Sequence, residues 1–449
     1  MSPESVLVST PFIGCDEAQT LPGLFRRRVD ATPEACAYRQ YEGAEWRDYT
    51  WAQVAERVGR WQRGLSDEGL VPGDRVALSL RNGLDWVCFD QAALGLGLVV
   101  VPLYTTDSPA NLAHILGDSG ARLLLIDSHS RWSPLAVRHP PLPALERVLC
   151  VDGAADAGDD TVRALSAWLP GEPAGPLEPL ADPAALATLV YTSGTTGPPK
   201  GVMLSHRAIL WDAEAVLRRI PAWPSDLFLS FLPLAHAFER TVGYYLPMMA
   251  GSCVAYARSV EQLRHDLLTV RPTALLSVPR VYDRIFLAIQ TKVGERGLKR
   301  RLIETTVSLG WRRFQATQGR GRAPGPLDRL LLPLLARLVA RPVLDRLGGR
   351  IRVAVSGGAP LSPVVARFFI GLGLPLTQGY GLTEAAPVVS GSEPKDCVPG
   401  SVGAALPGVQ VRLSPQDELL VRAPSLMLGY WQRPESTREV IDDEGWLHT

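Results

Sequence analysis

The residues Tyr191-Thr192-Ser193-Gly194-Thr195-Thr196-Gly197-Pro198-Pro199-Lys200-Gly201-Val202 interleave hydroxyls with glycines and follow them with a lysine. Glycines let backbone N–H groups come close to an anion, hydroxyls add donors, and the lysine adds a mobile positive charge. Successive N–H groups of such a turn form a nest suited to a polyphosphate. The spacing of Gly194, Gly197, Lys200 and Gly201 departs from the common G-x-x-x-x-G-K-[ST] loop, so a phosphate-binding turn of a different build is expected. A glycine-rich surface loop with no ligand is the alternative.

Two further stretches suit a flat ring. Gly357-Gly358-Ala359-Pro360 ends an apolar run with residues too small to obstruct one. In Gln378-Gly379-Tyr380-Gly381-Leu382-Thr383-Glu384, Tyr380 offers an aromatic face between glycines on which the same ring can stack. A core tyrosine at a strand end is the other reading of Tyr380. His236, in Leu234-Ala235-His236-Ala237-Phe238, is open to two readings, a satisfied core histidine or a site residue. The neighbouring Glu239-Arg240 predicts a structural ion pair beneath it.

These residues need a scaffold, and the hydrophobic pattern supplies one. Val54, Val58, Trp61 and Leu65 recur at helical spacing over 51–69. Pro72-Gly73-Asp74 then makes a turn, and a strand over Arg75–Leu80, a helix over Leu84–Leu96 and a buried strand at Val99-Val100-Val101 follow. A helix over Pro109–Gly117 and a strand over Ala121–Ile126 continue the alternation, which predicts a parallel sheet covered on both faces. Residues Asp152–Pro183 read as a long surface connection. The rhythm restarts with a strand over Ala187–Thr192, the candidate phosphate turn and a helix over Ser205–Arg219. Strands over Leu227–Phe231, Ala274–Val278 and Arg350–Val355 follow. Beyond Pro399 the short pieces Val409–Leu413 and Glu418–Arg422 predict a small β-rich unit. The expected fold is α/β, with two doubly wound sheet subdomains (1–180 and 181–398) and a small β-rich subdomain over 399–449.

Lysine plus arginine and aspartate plus glutamate each total 46 of 449 residues, so no global charge favours nucleic acid, and none is expected as a partner. Six cysteines fall without metal or C-x-x-C spacing and read as incidental thiols of a reducing compartment. The N-terminus lacks the basic and apolar regions of a signal peptide, and no apolar run spans a bilayer, so a cytoplasmic location is expected. Residues 292–352 carry a strong excess of arginine and lysine beside Leu330-Leu331-Leu332-Pro333-Leu334-Leu335. That block reads either as a basic amphipathic surface for peripheral contact with an anionic membrane, or as a solvated helical hairpin whose leucines cover the core. The inward-packed reading is the more common outcome.

The motifs stand in a familiar order. With Gly400-Ser401-Val402-Gly403, Met427-Leu428-Gly429-Tyr430-Trp431 and Gly445-Trp446-Leu447-His448-Thr449, the chain resembles the large domain of the adenylate-forming (AMP-binding) superfamily. Leu232–Arg240, Ser277–Tyr282 and the basic block are similar to the long-chain fatty acid–CoA ligases in particular. The resemblance implies ATP-dependent activation of a fatty acid to acyl-AMP and then acyl-CoA, with Mg²⁺ as cofactor and CoA as co-substrate. It assigns Thr192, Ser193, Gly194, Thr195, Thr196, Gly197 and Lys200 to the phosphates. Gly357, Gly358, Ala359, Pro360, Gln378, Gly379, Tyr380 and Gly381 would hold adenine, Thr383 a phosphate, and Glu384 the Mg²⁺. His236 would line the entrance for the acyl carboxylate, and Tyr244, Tyr245, Met248, Met249 and Val278 mark the neighbourhood of an acyl tunnel, with core packing an equal explanation of them. Thr192, Lys200, His236 and Glu384 are the expected catalytic set. Members of that family continue past the position of Thr449 into a small C-terminal domain, so a truncated chain is expected. An acyl-AMP ligase serving a carrier protein, or a non-catalytic acyl- or nucleotide-binding protein, are the rival readings.

Overall fold

Runs of β-branched and aliphatic residues with no polar face form the strands at the centre of the molecule. Val76–Leu78, Val99–Val101 and Leu123–Ile126 are buried throughout, the signature of parallel strands covered on both sides. The computed structural model describes residues 12–138, 142–153, 161–172, 182–192, 197–294, 297–322 and 324–449.

Among the described residues the strands form three sheets. One has eight strands, in the order Gly429–Tyr430, Lys200–Ser205, Leu186–Thr192, Val99–Pro102, Arg75–Ser79, Leu123–Ile126, Arg147–Cys150, Val162–Ala164. It is parallel except where Lys200–Ser205 and Gly429–Tyr430 join. A second has nine, in the order Ala404–Ala405, Val388–Gly391, Leu376–Gly381, Val353–Ser356, Ala274–Ser277, Leu227–Ser230, Cys253–Tyr256, Cys36–Glu42, Glu45–Thr50. It is parallel at its centre and antiparallel at both edges. The third is a small antiparallel sheet of Gln410–Leu413, Leu419–Arg422 and Leu447–His448. The α/β class and the terminal β-rich piece are as expected.

The sheets do not divide at residue 180. Strands Cys36–Glu42 and Glu45–Thr50 enter the nine-stranded sheet, whereas Leu186–Thr192, Lys200–Ser205 and Gly429–Tyr430 enter the eight-stranded one. Parallel pairing needs long crossovers, so the sheet a strand joins is not set by its neighbours in sequence. The expected connection over 152–183 also contributes structure, the edge strand Val162–Ala164 and a helical turn at Leu165–Trp168. Residues 154–160 and 173–181 of it lie outside the described residues.

Helices cover the sheets. Trp51–Asp67 starts with a capping box, in which Thr50 Oγ1 accepts from Gln53 N–H and the Gln53 side chain accepts from Thr50 N–H. Its Trp61 meets Phe89 edge-on at 5.7 Å. Phe89 belongs to Leu84–Gly95, a helix that is apolar nearly all round and buried except at Asp85. The basic block forms Leu298–Thr317 and Pro326–Leu335, the latter running into a π-helical turn at Ala336–Ala340. Leu298–Thr317 meets Pro363–Gly371 closely, since a Cβ on Gly310 would lie 1.9 Å from Gly371 O. The inward-packed reading covers part of the leucine run only. Leu332 and Leu335 are buried with Leu309, but Leu327, Leu330, Leu331, Leu334 and Leu338 are exposed.

Candidate active site

Leu186–Thr192 is answered by the antiparallel strand Lys200–Ser205, with Thr192 opposite Lys200, a strand the sequence reading did not place. The helix follows from Ser205 as expected, capped by the Ser205 side chain, which accepts from Ala208 N–H. Ser193, Gly194, Thr195 and Thr196 lie outside the described residues. Gly197 is described and exposed.

Lys200 Nζ donates to Ser436 Oγ at 3.2 Å and stands 5.1 Å from the centre of the Tyr430 ring. The Tyr430 hydroxyl donates to Glu384 Oε1 at 2.8 Å. Burial and the Glu384 carboxylate hold the Tyr430 phenol well above its ordinary pKa, so it is a donor at any working pH. Three residues spread over the chain thus form one row, Lys200, Tyr430, Glu384. Glu384 lies in a 3₁₀ turn, Thr383–Ala385, whose preceding strand carries Tyr380.

A cavity next to that turn is lined by Gln378, Gly379, Tyr380, Gly381, Thr383, Gly357, Gly358 and His236. Val216, Ile220, Phe228, Val242 and Leu246 also line it, as do Arg219 and Arg352. Ala359 and Pro360 follow Gly358 along the chain and are not among the lining residues. Gly357 is needed for a reason invisible in sequence, because a Cβ there would lie 3.0 Å from the Phe238 ring. His236 Nδ1 accepts from Phe238 N–H at 3.1 Å, which leaves the proton of the neutral ring on Nε2. Desolvation lowers the His236 pKa, so the ring is neutral at pH 7.

Several open readings are decided here, and one expectation is overturned. Of the two readings of Tyr244, Tyr245, Met248 and Met249, core packing is the one observed: they are buried, do not line this cavity, and both tyrosine hydroxyls donate to Asp90 Oδ2. Val278 is not among the lining residues either, and lies beside Gly358. Glu239 and Arg240 do not pair with each other. Arg240 pairs with Asp90, and its Nη1 donates to Thr188 Oγ1 at 2.6 Å, because successive residues of a helical turn point in different directions. Glu239 lies against Gly243, with its Oε2 lacking a partner among the described residues.

Sequence reasoning also missed residues. Tyr430 stood inside a quoted motif, but nothing local linked it to Glu384. Asp118 collects Tyr191 Oη at 2.7 Å, Arg433 Nη2 at 2.7 Å and, through its carbonyl, Trp431 Nε1 at 3.1 Å. That cluster fixes the strand before the phosphate turn to the segment that supplies Tyr430.

Residues 25–431 match the family described as AMP-binding enzyme. The chain belongs to that family. It is 32% identical over 450 residues to the long-chain-fatty-acid–CoA ligase FadD15 of Mycobacterium tuberculosis, covering 99% of this chain and 73% of that protein. It is 31% identical to the peroxisomal long chain acyl-CoA synthetase 7 of Arabidopsis thaliana, over 90% of this chain and 60% of that one. Among solved structures, a Mycobacterium tuberculosis fatty acyl CoA synthetase superposes with a TM-score of 0.74 at 21% identity, covering 97% of this chain and 76% of that chain. The N-terminal domain of FACL13 from the same organism gives 0.73 at 21% identity, covering 96% and 95%. At that identity the likeness is one of fold.

The residues of this AMP-binding enzyme fit a magnesium ion. Among the described residues no cluster of three or more acidic, histidine or cysteine side chains could hold a metal alone. Glu384 is a half-buried carboxylate that accepts from the Tyr430 hydroxyl, whose ring lies against Lys200. Mg²⁺ is characteristically held by one or two carboxylates, with phosphate oxygens and water filling the other positions. A single well-placed glutamate matches that donor set.

Glu239 yields a pH-dependent prediction. Burial raises its pKa to about 8, opposed by a hydrogen bond from Ser230. A carboxyl with a folded-state pKa above its unfolded value is uncharged in the fold, so its full contribution holds below about pH 4.5. That contribution is lost as pH rises through about 8. Glu239→Gln is therefore expected to raise stability at pH 8.5 by a few kcal/mol and to leave it nearly unchanged at pH 4.5. Urea unfolding midpoints at the two pH values check this, and an equal shift at both would contradict a buried neutral carboxyl.

Proposed function

We propose that this chain carries the adenylate-forming site of a long-chain fatty acid–CoA ligase. The observation that carries the reading is a cavity lined both by Gly357, Gly358, Tyr380 and His236 and by aliphatic side chains, whose lining residue Thr383 precedes Glu384 of the row Lys200, Tyr430, Glu384. In the first step a fatty carboxylate oxygen attacks the α-phosphorus of ATP, and the bond to pyrophosphate breaks. In the second the CoA thiolate attacks the acyl carbon and AMP leaves. Bound Mg²⁺ would neutralise phosphate charge at Glu384.

The chain's own work is positioning and charge complementarity. Thr192, Gly197 and Lys200, with Ser193, Gly194, Thr195 and Thr196, would take the β- and γ-phosphates. Tyr380 would stack on adenine across the floor of Gly357, Gly358, Ala359 and Pro360, with Gln378, Gly379 and Gly381 shaping the edge and Thr383 meeting phosphate. Neutral His236 would donate from Nε2–H to the acyl carboxylate. The aliphatic walls Val216, Ile220, Phe228, Val242 and Leu246 would take the chain. The names of the relatives, all at about 30% identity, support the long-chain substrate.

Melting temperatures with non-hydrolysable acyl-adenylate analogues from acetyl to stearoyl test the reading without turnover. A ligand bound only by the folded state stabilises it by RT ln(1 + [L]/Kd). Shifts that grow with chain length are expected; no shift with any analogue would overturn the assignment. In the same series Tyr380→Ala should cost about 1–3 kcal/mol of binding through lost ring stacking.

Membrane contact belongs to the same reading. Leu327, Leu330, Leu331, Leu334 and Leu338 are 45–77% exposed at helical spacing, and Arg329, Arg337 and Arg341 are exposed around them. An apolar stripe flanked by arginines suits the anionic inner face of a membrane, where fatty acid is concentrated. No helix among the described residues is long and apolar enough to cross a membrane. Co-sedimentation with phosphatidylglycerol vesicles is expected, falling about tenfold or more in Leu330→Ser/Leu334→Ser. Equal recovery of both proteins in the supernatant would remove this surface.

A further inference from the structure

Two of the six cysteines, 217 residues apart in sequence, are brought together by the nine-stranded sheet. Cys36 opens the strand Cys36–Glu42 and Cys253 opens Cys253–Tyr256, and these strands lie side by side and parallel. Their Sγ atoms are 2.9 Å apart. Both residues are half-buried, whereas Cys15, Cys88, Cys150 and Cys397 are buried. The expectation of six incidental thiols therefore holds for four residues and fails for this pair, because strand pairing, which sequence spacing does not report, sets the distance.

We propose that Cys36 and Cys253 form a disulfide-forming modification site, oxidised by a peroxide and restored by a thiol reductant. The remaining gap to a bonded sulfur–sulfur distance of about 2.05 Å is under about 1 Å. Either sulfur can be the donor in this contact. The hydrogen bond with Cys253 and the positive potential of Arg39 favour the Cys36 thiolate against the opposing effects of burial and Asp48. The hydrogen bond with Cys36 and burial raise the pKa of Cys253. In this proposal Cys36, on the same strand as Arg39, takes the role of nucleophile and Cys253 that of resolving thiol.

In the first step the Cys36 thiolate attacks one oxygen of hydrogen peroxide. An S–O bond forms, the O–O bond breaks, and hydroxide leaves to take up a proton as water. The Cys253 sulfur then attacks Cys36 Sγ of the sulfenic acid. The S–S bond forms, the S–O bond breaks, and the departing hydroxide takes the Cys253 proton as a second water. Two thiols lose two electrons and peroxide gains them. The product ties the strand Cys36–Glu42 covalently to Cys253–Tyr256. It closes a very long loop in the unfolded chain, where a cross-link restricts the denatured ensemble most. Neither cysteine lines the candidate active-site cavity, so the site is independent of the ligase reading.

The test uses the native chain treated with limiting hydrogen peroxide. Free thiols should fall by two per chain, and non-reducing peptide mapping should join Cys36 to Cys253. The apparent melting temperature should rise by about 5 °C and return on adding dithiothreitol. Cys36→Ser and Cys253→Ser should each abolish the cross-link and the shift while melting like the untreated reduced protein. Retention of all thiols, a cross-link between other cysteines, or a stable sulfinic acid on Cys36 with Cys253 still free would each overturn the proposal.

Discussion

Glu384→Gln is expected to lower the rate of adenylate formation by about 10²–10³-fold, the scale on which one preorganised electrostatic group acts at a transition state. Glutamine keeps the shape and an oxygen that can accept from Tyr430, so the fold should be unaffected. What it lacks is the negative charge that a hard cation requires. ATP–pyrophosphate exchange measured against Mg²⁺ concentration separates these effects. An unchanged Mg²⁺ midpoint in the variant would remove Glu384 from the metal. Tyr430→Phe should produce the same change in milder form, about 10–100-fold, because it frees the carboxylate without discharging it. A Tyr430→Phe loss with no change in Mg²⁺ dependence would mean that Tyr430 acts through Lys200 instead, over whose ammonium its ring stands.

Asp90→Ala should destabilise the chain by about 3–5 kcal/mol, since it strands a buried cation. Arg240 and Asp90 are 2% and 0% exposed. Asp90 also accepts from the hydroxyls of Tyr244 and Tyr245, and Arg240 stacks 5.3 Å from the centre of Trp86. The pair links Leu84–Gly95, the strand Leu186–Thr192 through Thr188, and the π-helical turn that follows His236. Its loss should therefore also blur the position of His236. Unfolding midpoints in urea measure the cost, and a change below about 1 kcal/mol would show that water enters to solvate Arg240. Asp90→Leu/Arg240→Met should recover part of the stability, because it removes the stranded cation but leaves the buried Tyr244 and Tyr245 hydroxyls without their acceptor. The acyl-binding response should not recover with it if Arg240 positions the His236 turn.

The largest part of the local structure was legible in the residues themselves. Val54, Val58, Trp61 and Leu65 mark the buried stripe of Trp51–Asp67, and unbroken apolar runs mark the parallel strands, because periodicity reflects burial directly. The small residues Gly357 and Gly358, which line the cavity, were legible for the same reason, since what they offer is carried by adjacent residues. The strand Lys200–Ser205 was not, as six residues of mixed polarity next to a glycine-rich turn carry little pattern of their own. What makes it a strand is pairing with Leu186–Thr192 on one side and Gly429–Tyr430 on the other.

Tertiary structure alone decided which distant groups meet. Lys200, Tyr430 and Glu384 form a row because the strand bearing Tyr430 pairs with the strand that Lys200 opens. Arg240 faces Asp90 and not its neighbour Glu239, because buried charge is stable only beside a counter-charge and helical geometry turns consecutive side chains apart. Leu332 packs inward while Leu330 and Leu334 remain outside, a division set by what the helix lies against. Hydrophobic spacing determined that this chain is an α/β protein, and its ordered motifs pointed to the AMP-binding family that the comparison matches. Which distant residues meet followed from long-range strand order, which no local pattern encodes.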